Sequence, residues 1–393
     1  MTPPHIVWLI NHNEGGGIAR ATVSLARAVR ARGIATRAVS LGDGSMARLM
    51  RDHGFAVDVI GHGSFTGYNG TLVRRIAHAV HNERLTRTLV PRVASNLKEK
   101  GGDVLHIVSP YLVRLVGPAA QRAGATPVWE MANLISDRYP FKLNQRYYGR
   151  VVRRFGLIVI ANSRFTASTI GWGGENVFVN APSTDADAFD PSKVVPVPRS
   201  ELGFAPDDVV LGMFARYVPD KAQHQLIEAS ARLIARGEKL ALLLAGEPFA
   251  SAYAEELRAM VAGLGISSRV RLLPGVSDVE RYLASVDLAF NCRVDPEPFG
   301  LSVVEAMLMG KPVIVHGLGG PAETVVDGQT GWHYGAPTSE ALADAIERAL
   351  SQRARWGDMG AAGRERALVH YASDATASQY LRIIANTRQN PQK

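Results

Sequence analysis

Two glutamates, Glu297 and Glu305, stand eight positions apart in the stretch EPFGLSVVEAMLMGKPV, residues 297–313. The first falls in a loop with Pro298, Phe299 and Gly300. The second falls about two turns into an apolar helical stretch that Gly310 stops. A loop carboxylate can accept hydrogen bonds from the hydroxyls of a sugar, and a second one can hold the paired hydroxyls of a ribose. The helix start between them offers the amides of Phe299, Gly300 and Leu301 to hydroxyl or phosphate oxygens. Glutamates at this spacing also occur by chance in helices, so the setting has to carry the reading.

Two further stretches have chemistry in their spacing. In FARYVPDKAQHQLIEA, residues 214–229, Arg216 and Lys221 follow an apolar run that reads as a strand. Two cations there can grip a diphosphate, Arg as a planar fork and Lys as a point charge. Surface pairing with Asp220 or Glu228 would account for them equally simply. In NHNEGGGIAR, residues 11–20, three glycines lie between a strand and a helix. The backbone can approach a ligand there, and the helix N-terminus favours an anion. A tight strand-to-helix turn would look the same. The spacing is not G-x-G-x-x-G, and no acidic residue ends the second strand, so a nicotinamide enzyme is disfavoured.

These residues need elements to hold them. HIVWLI (5–10), ATRAVSL (35–41), VLHIV (104–108), TPVWEM (126–131) and GLIVIANS (156–163) read as buried strands, with helical stretches such as ATVSLARAVRARG between them. The stretch 180–208 is dense in Pro, Asp and Ser and reads as a linker. The alternation then restarts with VVLGMFARYV, KLALLLAGEP, RVRLLPGVSD, VDLAFN and KPVIVHG. The pattern predicts an α/β protein of two Rossmann-like, doubly wound parallel-sheet domains facing a central cleft. The expected bounds are 1–185 for an acceptor-binding domain and 186–372 for a donor-binding one, with a last helix over 373–390 packing back on the first.

The bulk composition agrees. The chain has 393 residues, 46% hydrophobic and 20% charged, which suits two soluble domains. Its one cysteine, Cys292, excludes an intramolecular disulfide and a cysteine metal cage, and fits a reducing compartment. No apolar run approaches the roughly 20 residues of a membrane span, and the N-terminal run is too short for a signal-peptide core. A cytoplasmic protein is expected. The net charge of +8 is uneven: residues 1–185 hold 23 Lys and Arg against 11 Asp and Glu. Runs starting at Arg74 and Asp137 concentrate the arginines. A solvated basic face, an anionic acceptor, or peripheral contact with anionic lipid at the inner face of the cytoplasmic membrane would each explain it. No nucleic-acid-binding motif accompanies the charge.

EPFGLSVVEAMLMGKPVIV resembles the E-x7-E signature of retaining glycosyltransferase family 4, whose fold is GT-B. GGPAETVVDGQTGW (319–332) resembles the segment that follows it there. FARYVPDKAQHQLIEA is similar to the family's cation loop, NEGGGIARATVSLARAV to its first Gly-rich loop, and DVLHIVS (103–109) to its D-x-x-H strand. The resemblance covers nearly the whole chain. It implies transfer of a sugar from a UDP- or GDP-sugar to the hydroxyl of a sugar, glycolipid or small-molecule acceptor, with the anomeric configuration kept. It implies that Arg216 and Lys221 stabilise the leaving diphosphate, and that Glu297 meets the donor sugar. The same resemblance implies that Phe299, Gly300, Leu301 and Ser302 lie beside it, that Glu305 holds the ribose, and that Gly16 and Gly17 let the first domain close over the donor. No cofactor and no metal are expected, since the donor is a substrate and no Asp-x-Asp pair ends a strand.

The sequence departs from the family pattern in places. Where members carry a His after the strand resembling TPVWEMAN, this chain has Asn133, which can orient a hydroxyl but cannot act as a base near neutral pH. His106 is the nearest substitute as an acceptor or sugar contact, and a strand His satisfied by backbone would look the same. Ala215 and Ala222 replace flanking glycines, and Pro182-Ser183-Thr184-Asp185 replaces Asn-Gly-Val-Asp. Asn133 therefore keeps a second reading open, a catalytically weak or inactive sugar-nucleotide-binding module. A GT-B epimerase would need carboxylates and His placed for proton or elimination chemistry, and a phosphorylase a pyridoxal-bearing Lys with no setting here.

Overall fold

The structure, a computed structural model, describes residues 3–11, 14–61, 65, 71–135, 142–172 and 176–389. It divides into two compact units, Met1–Thr184 with Ser373–Lys393, and Asp185–Ala372.

The first unit is a parallel sheet flanked by helices. Its strands are β1 (Ile6–Ile10), β2 (Thr36–Ser40), β3 (Val57–Val59), β4 (Val104–Ile107), β5 (Thr126–Met131), β6 (Ile158–Ala161) and β7 (Val177–Val179). They lie in the order β3-β2-β1-β4-β5-β6-β7. The connecting helices are α1 (Gly16–Ala31), α2 (Ser45–Asp52), α3 (Leu72–Lys100), α4 (Val113–Ala123), α5 (Leu143–Phe155) and α6 (Arg164–Ser168). The central strands read as unbroken apolar runs because helices cover both faces, so no position alternates toward water. All of β1, IVWLI, is buried for that reason.

The second unit repeats the plan. Strands β8 (Val209–Phe214), β9 (Leu240–Ala245), β10 (Val270–Leu273), β11 (Leu288–Asn291), β12 (Val313–His316) and β13 (Gly331–Tyr334) form a parallel sheet in the order β10-β9-β8-β11-β12-β13. Helices α7 (Gln223–Ala235), α8 (Ala252–Gly263), α9 (Val279–Ser285), α10 (Leu301–Leu308), α11 (Gly320–Thr324), α12 (Ser339–Ser351) and α13 (Trp356–His370) complete it. The Pro/Asp/Ser-rich stretch 180–208 holds neither strand nor helix. The last helix, α14 (Ser373–Gln389), lies in the first unit against α1. Its Ala377, Tyr380, Ile383 and Ile384 share a core with Trp8 of β1 and Val23 of α1.

In each sheet the chain winds outward one way, returns to the middle and winds out the other way. The reversal falls between β1 and β4 in the first unit and between β8 and β11 in the second. Ligands of open α/β sheets bind beyond the carboxyl ends of the strands at such points, because two loops part there and leave a crevice. The loops in question are those after β1 and β4, and those after β8 and β11.

Candidate functional site

The loop after β8 carries Arg216 and Lys221, and the loop after β11 carries Glu297. Pairing of β8 with β11, Leu211 beside Leu288 and Gly212 beside Ala289, brings the two loops together. Lys221 Nζ donates a short hydrogen bond to Glu297 Oε2. Arg293 Nη1 donates to the other oxygen, Oε1, at 3.0 Å. Arg293 Nη2 lies 3.2 Å from Asp220 Oδ2, and the Val294 amide donates to the Asp220 carbonyl at 3.1 Å. Two cations and two carboxylates thus alternate across the switch point of the second sheet. The side chains of Lys221 and Glu297 are only 15% and 13% exposed, so water screens this pair less than a surface pair.

The ion pairs differ from the surface pairing considered for the cation loop. Lys221 does not pair with Asp220 or Glu228 among the described residues; Asp220 takes Arg293 instead. Arg216 points the other way in character. It is exposed and has no side-chain partner among the described residues, while its carbonyl accepts from Gln223 Nε2 at 2.8 Å. Arg216 is therefore an uncommitted cation next to a committed one.

Packing fixes the shape of this loop. Tyr217 is buried and its hydroxyl, which donates one proton, lies 2.8 Å from the Leu244 carbonyl and 2.9 Å from that of Leu273. Ala222, where the resembled family has Gly, sits in the left-handed region at φ 57°. A Cβ there costs roughly 1–2 kcal/mol of backbone strain. Gly246 packs against the start of the loop: a Cβ on it would lie 1.9 Å from the Ala215 carbonyl oxygen.

Gly300, at φ 88°, caps the start of α10. The amides of Leu301 and Ser302 stand in the first turn, where no intrahelical acceptor exists. Phe299 is buried edge-on against Tyr371, with ring centroids 5.7 Å apart. Glu305 lies on α10 and is buried with polar contacts of its own. Behind Glu297 runs a segment for which no site role was read from the sequence. Gly319 forms a parallel bridge with Glu297, and the Gly320 amide donates to the Glu297 carbonyl at 2.8 Å. A Cβ on Gly319 would lie 2.4 Å from the Glu297 carbonyl oxygen, and one on Gly320 2.4 Å from Phe299 Cα. The two glycines let α11 begin directly against the loop that aims Glu297.

In the first unit, Asn133 is exposed just beyond β5 and lines a pocket of about 120 Å³ with Trp129 and Tyr148. Gly16, at φ 66°, and Gly17 open α1 beyond the end of β1. The place of His106 differs from the sugar contact expected of it. It is buried on β4, with Nδ1 3.1 Å from the Tyr380 hydroxyl and Nε2 3.2 Å from Glu130 Oε2. Its ring also packs on Trp8 at 4.4 Å. Both nitrogens are engaged inside the core, so this side chain ties the last helix to the sheet and offers nothing to a ligand.

Glu14 was missed. It follows β1 in the Gly-rich loop, and its Oε1 is buried without a hydrogen-bond partner among the described residues. Burial pushes the carboxyl up to about 7, against the opposing effect of a backbone hydrogen bond from Asn11. The folded state holds this proton more tightly than the unfolded chain does. The associated stability is present in full below the ordinary value of 4.5 and is lost as pH rises through about 7. Glu14→Gln is therefore expected to raise the melting temperature at pH 8 by about 2–4 °C or more and to leave it unchanged at pH 4. Equal shifts at both pH values in thermal scans would show that the carboxyl is not the titrating group.

Comparison with known proteins adds to this geometry. Residues 197–366 match the family described as "Glycosyl transferases group 1". A GDP-mannose-dependent alpha-(1-6)-phosphatidylinositol monomannoside mannosyltransferase of Mycolicibacterium smegmatis is 27% identical over 314 residues, covering 76% of this chain and 81% of its own length. The lipopolysaccharide core biosynthesis glycosyltransferase LpsE of Rhizobium meliloti is 30% identical over 220 residues, covering 56% of this chain and 60% of its own. Among solved structures, Anabaena HepE in complex with UDP-glucose superposes with a TM-score of 0.79 at 24% identity, covering 98% of this chain and 100% of that one. The fold is thus the GT-B fold.

Proposed function

Taking the chain as a group 1 glycosyltransferase on a GT-B fold, we propose that it moves a sugar from a nucleoside diphosphate sugar, UDP- or GDP-linked, to an acceptor hydroxyl with retention of configuration. Of the relatives named above, one is a GDP-mannose-dependent mannosyltransferase and another a glycosyltransferase of lipopolysaccharide core biosynthesis, and the HepE structure holds UDP-glucose. The observation that carries the proposal is the pairing of Lys221 with Glu297 across the switch point of the second sheet, with Arg216 exposed beside it.

In this mechanism the bond from the anomeric carbon to the diphosphate oxygen breaks, and its electron pair stays on the diphosphate. Negative charge grows there and positive charge on the sugar ring. Arg216 and Lys221 meet the former once the donor is bound, and this charge needs no metal ion. Glu297 accepts hydrogen bonds from the donor sugar's hydroxyls. Glu305 holds the ribose, and the amides of Phe299, Gly300, Leu301 and Ser302 take hydroxyl or phosphate oxygens. The acceptor oxygen bonds to the same face of the anomeric carbon, and its proton passes to a phosphate oxygen of the departing nucleotide. Asn133 orients a hydroxyl rather than moving a proton. A thermal-shift titration tests the donor. UDP or GDP at about 100 times its dissociation constant stabilises the native chain by about 2.7 kcal/mol. No shift with any nucleoside diphosphate would remove the proposal. Binding without nucleotide release, restored by Asn133→His, would select the binding module instead.

The acceptor side of the proposal is a glycan or glycolipid presented at an anionic membrane surface. No described helix is long and apolar enough to cross a membrane. Helix α3 instead exposes an apolar ridge, Val73 at 77%, Ile76 at 57% and Val80 at 47%, one helical face bordered by exposed Arg74, Arg75 and Arg84. Apolar side chains enter the headgroup boundary while arginines meet lipid phosphates. Sedimentation with phosphatidylglycerol vesicles at low salt is expected to carry the chain down, with release at high salt. A chain that stays in the supernatant at low salt would refute this placement.

A further inference from the structure

Resting on the donor site proposed above, we infer that Arg293 is a positioning residue that frees Lys221 for the donor's diphosphate, by keeping Glu297 charge-paired when Lys221 leaves it. The observation behind it is a conflict. The cation assigned to the diphosphate is already hydrogen-bonded to Glu297, and both side chains are largely out of water. Withdrawing one partner from such a pair normally leaves an uncompensated charge, which is what makes breaking buried ion pairs unfavourable.

Arg293 resolves the conflict because it cannot leave. Its guanidinium reaches both loops at once, Nη1 to Glu297 Oε1 at 3.0 Å and Nη2 3.2 Å from Asp220 Oδ2. The peptide unit that follows Arg293 is fastened at both its carbonyl and its amide. His316 Nδ1 donates to the Arg293 carbonyl at 3.0 Å, and the next amide, that of Val294, donates to the Asp220 carbonyl at 3.1 Å. The planar fork of a guanidinium serves two acids where an ammonium is a single point. The Arg293 Nε–H is buried with no acceptor among the described residues, so a donor remains unspent there. Lys221, by contrast, has Glu297 as its one side-chain partner among the described residues. Its flexible stem lets the ammonium swing toward an incoming phosphate. Glu297 then remains held on Oε1 and oriented to accept sugar hydroxyls through its other lone pairs.

The test is calorimetric titration of UDP and GDP, which lack the sugar and so do not report on Glu297's own contacts with it. In Arg293→Ala, Glu297 has only Lys221 and retains it, so nucleotide affinity falls by about tenfold or more, within the range of coupling between contacting charges. In a Glu297→Gln background Lys221 is no longer held, and adding Arg293→Ala changes affinity by less than about twofold. Arg293→Lys restores the melting temperature, yet nucleotide binding stays weaker by roughly threefold or more, since one ammonium cannot bridge both acids. Equal affinity of Arg293→Ala and the unaltered chain overturns the inference. So does the same loss in the Glu297→Gln background, which would make Arg293 a direct phosphate contact or a plain brace, and so does full rescue by Lys. If the unaltered chain binds neither nucleotide, the donor site itself is wrong and the inference falls with it.

Discussion

Replacing Lys221 by Ala is expected to lower kcat by about 10²–10³-fold, the loss typical of one fixed donor aimed at developing transition-state charge. That corresponds to about 2.7–4 kcal/mol of barrier. The folded chain should tolerate the change, because Glu297 keeps Arg293 on Oε1 at 3.0 Å and is not left as a buried unpaired carboxylate. Arg216→Ala should cut turnover comparably with an even smaller effect on melting, since the side chain is exposed and holds nothing in the empty protein. Steady-state nucleotide release with donor and acceptor, read beside thermal scans, separates the effects. If both variants turn over within about twofold of the unaltered chain, the charge assigned to these cations is not what lowers the barrier.

The second large effect comes from a residue that touches no substrate. Gly320→Ala puts a methyl group 2.4 Å from Phe299 Cα and 2.5 Å from the Pro298 carbonyl oxygen. Both contacts are backbone, so no side chain can rotate away, and the 297–300 loop must shift. Overpacking of this kind costs about 1–3 kcal/mol, and a displacement near 1 Å in a reacting constellation can cost roughly 10²-fold in rate. The expected result is a melting point lower by several degrees with kcat/KM for the donor reduced by about 10²-fold, out of proportion to the stability lost. Gly335→Ala is the control, since nothing lies within 4 Å of its added Cβ and it should be silent. Unchanged kcat/KM in Gly320→Ala would mean that the position of this loop is not critical.

Both predictions rest on contacts that were unequally visible in the amino-acid order. The alternating apolar runs and helical stretches were legible, because parallel strands buried on both faces need unbroken apolar sequence. Three of the four edge strands were not, β10 being the exception. β3 and β7 are three residues each, VDV and VFV, too short and too exposed to stand out from loops. β13, GWHY, mixes glycine with polar and aromatic residues and is a strand only because β12 pairs with it, Val313 through His316 against Gly331 through Tyr334. Glu297 and Lys221 were legible because each follows an apolar strand at a loop. Arg293 was not, since nothing in CRVDPEP distinguishes it from a solvated arginine until Asp220 arrives from 73 positions away. Glu14 read as part of a turn, and only burial of its carboxyl sets it apart.

The sequence by itself determined the two-fold recurrence of strand and helix, the linker, and the loops in which cations and carboxylates would stand. These are written in local periodicity and in glycine and proline punctuation, which act over a few residues. Tertiary structure alone decided which charges meet. The order of strands in the second sheet sets the β8 and β11 loops side by side, turning Lys221, Glu297, Arg293 and Asp220 into one network. The same kind of long-range packing took His106 out of reach by closing Tyr380 over it from the far end of the chain. Electrostatic and hydrogen-bond partners depend on distance in space, and a spacing along the chain does not specify that distance until the strands have paired.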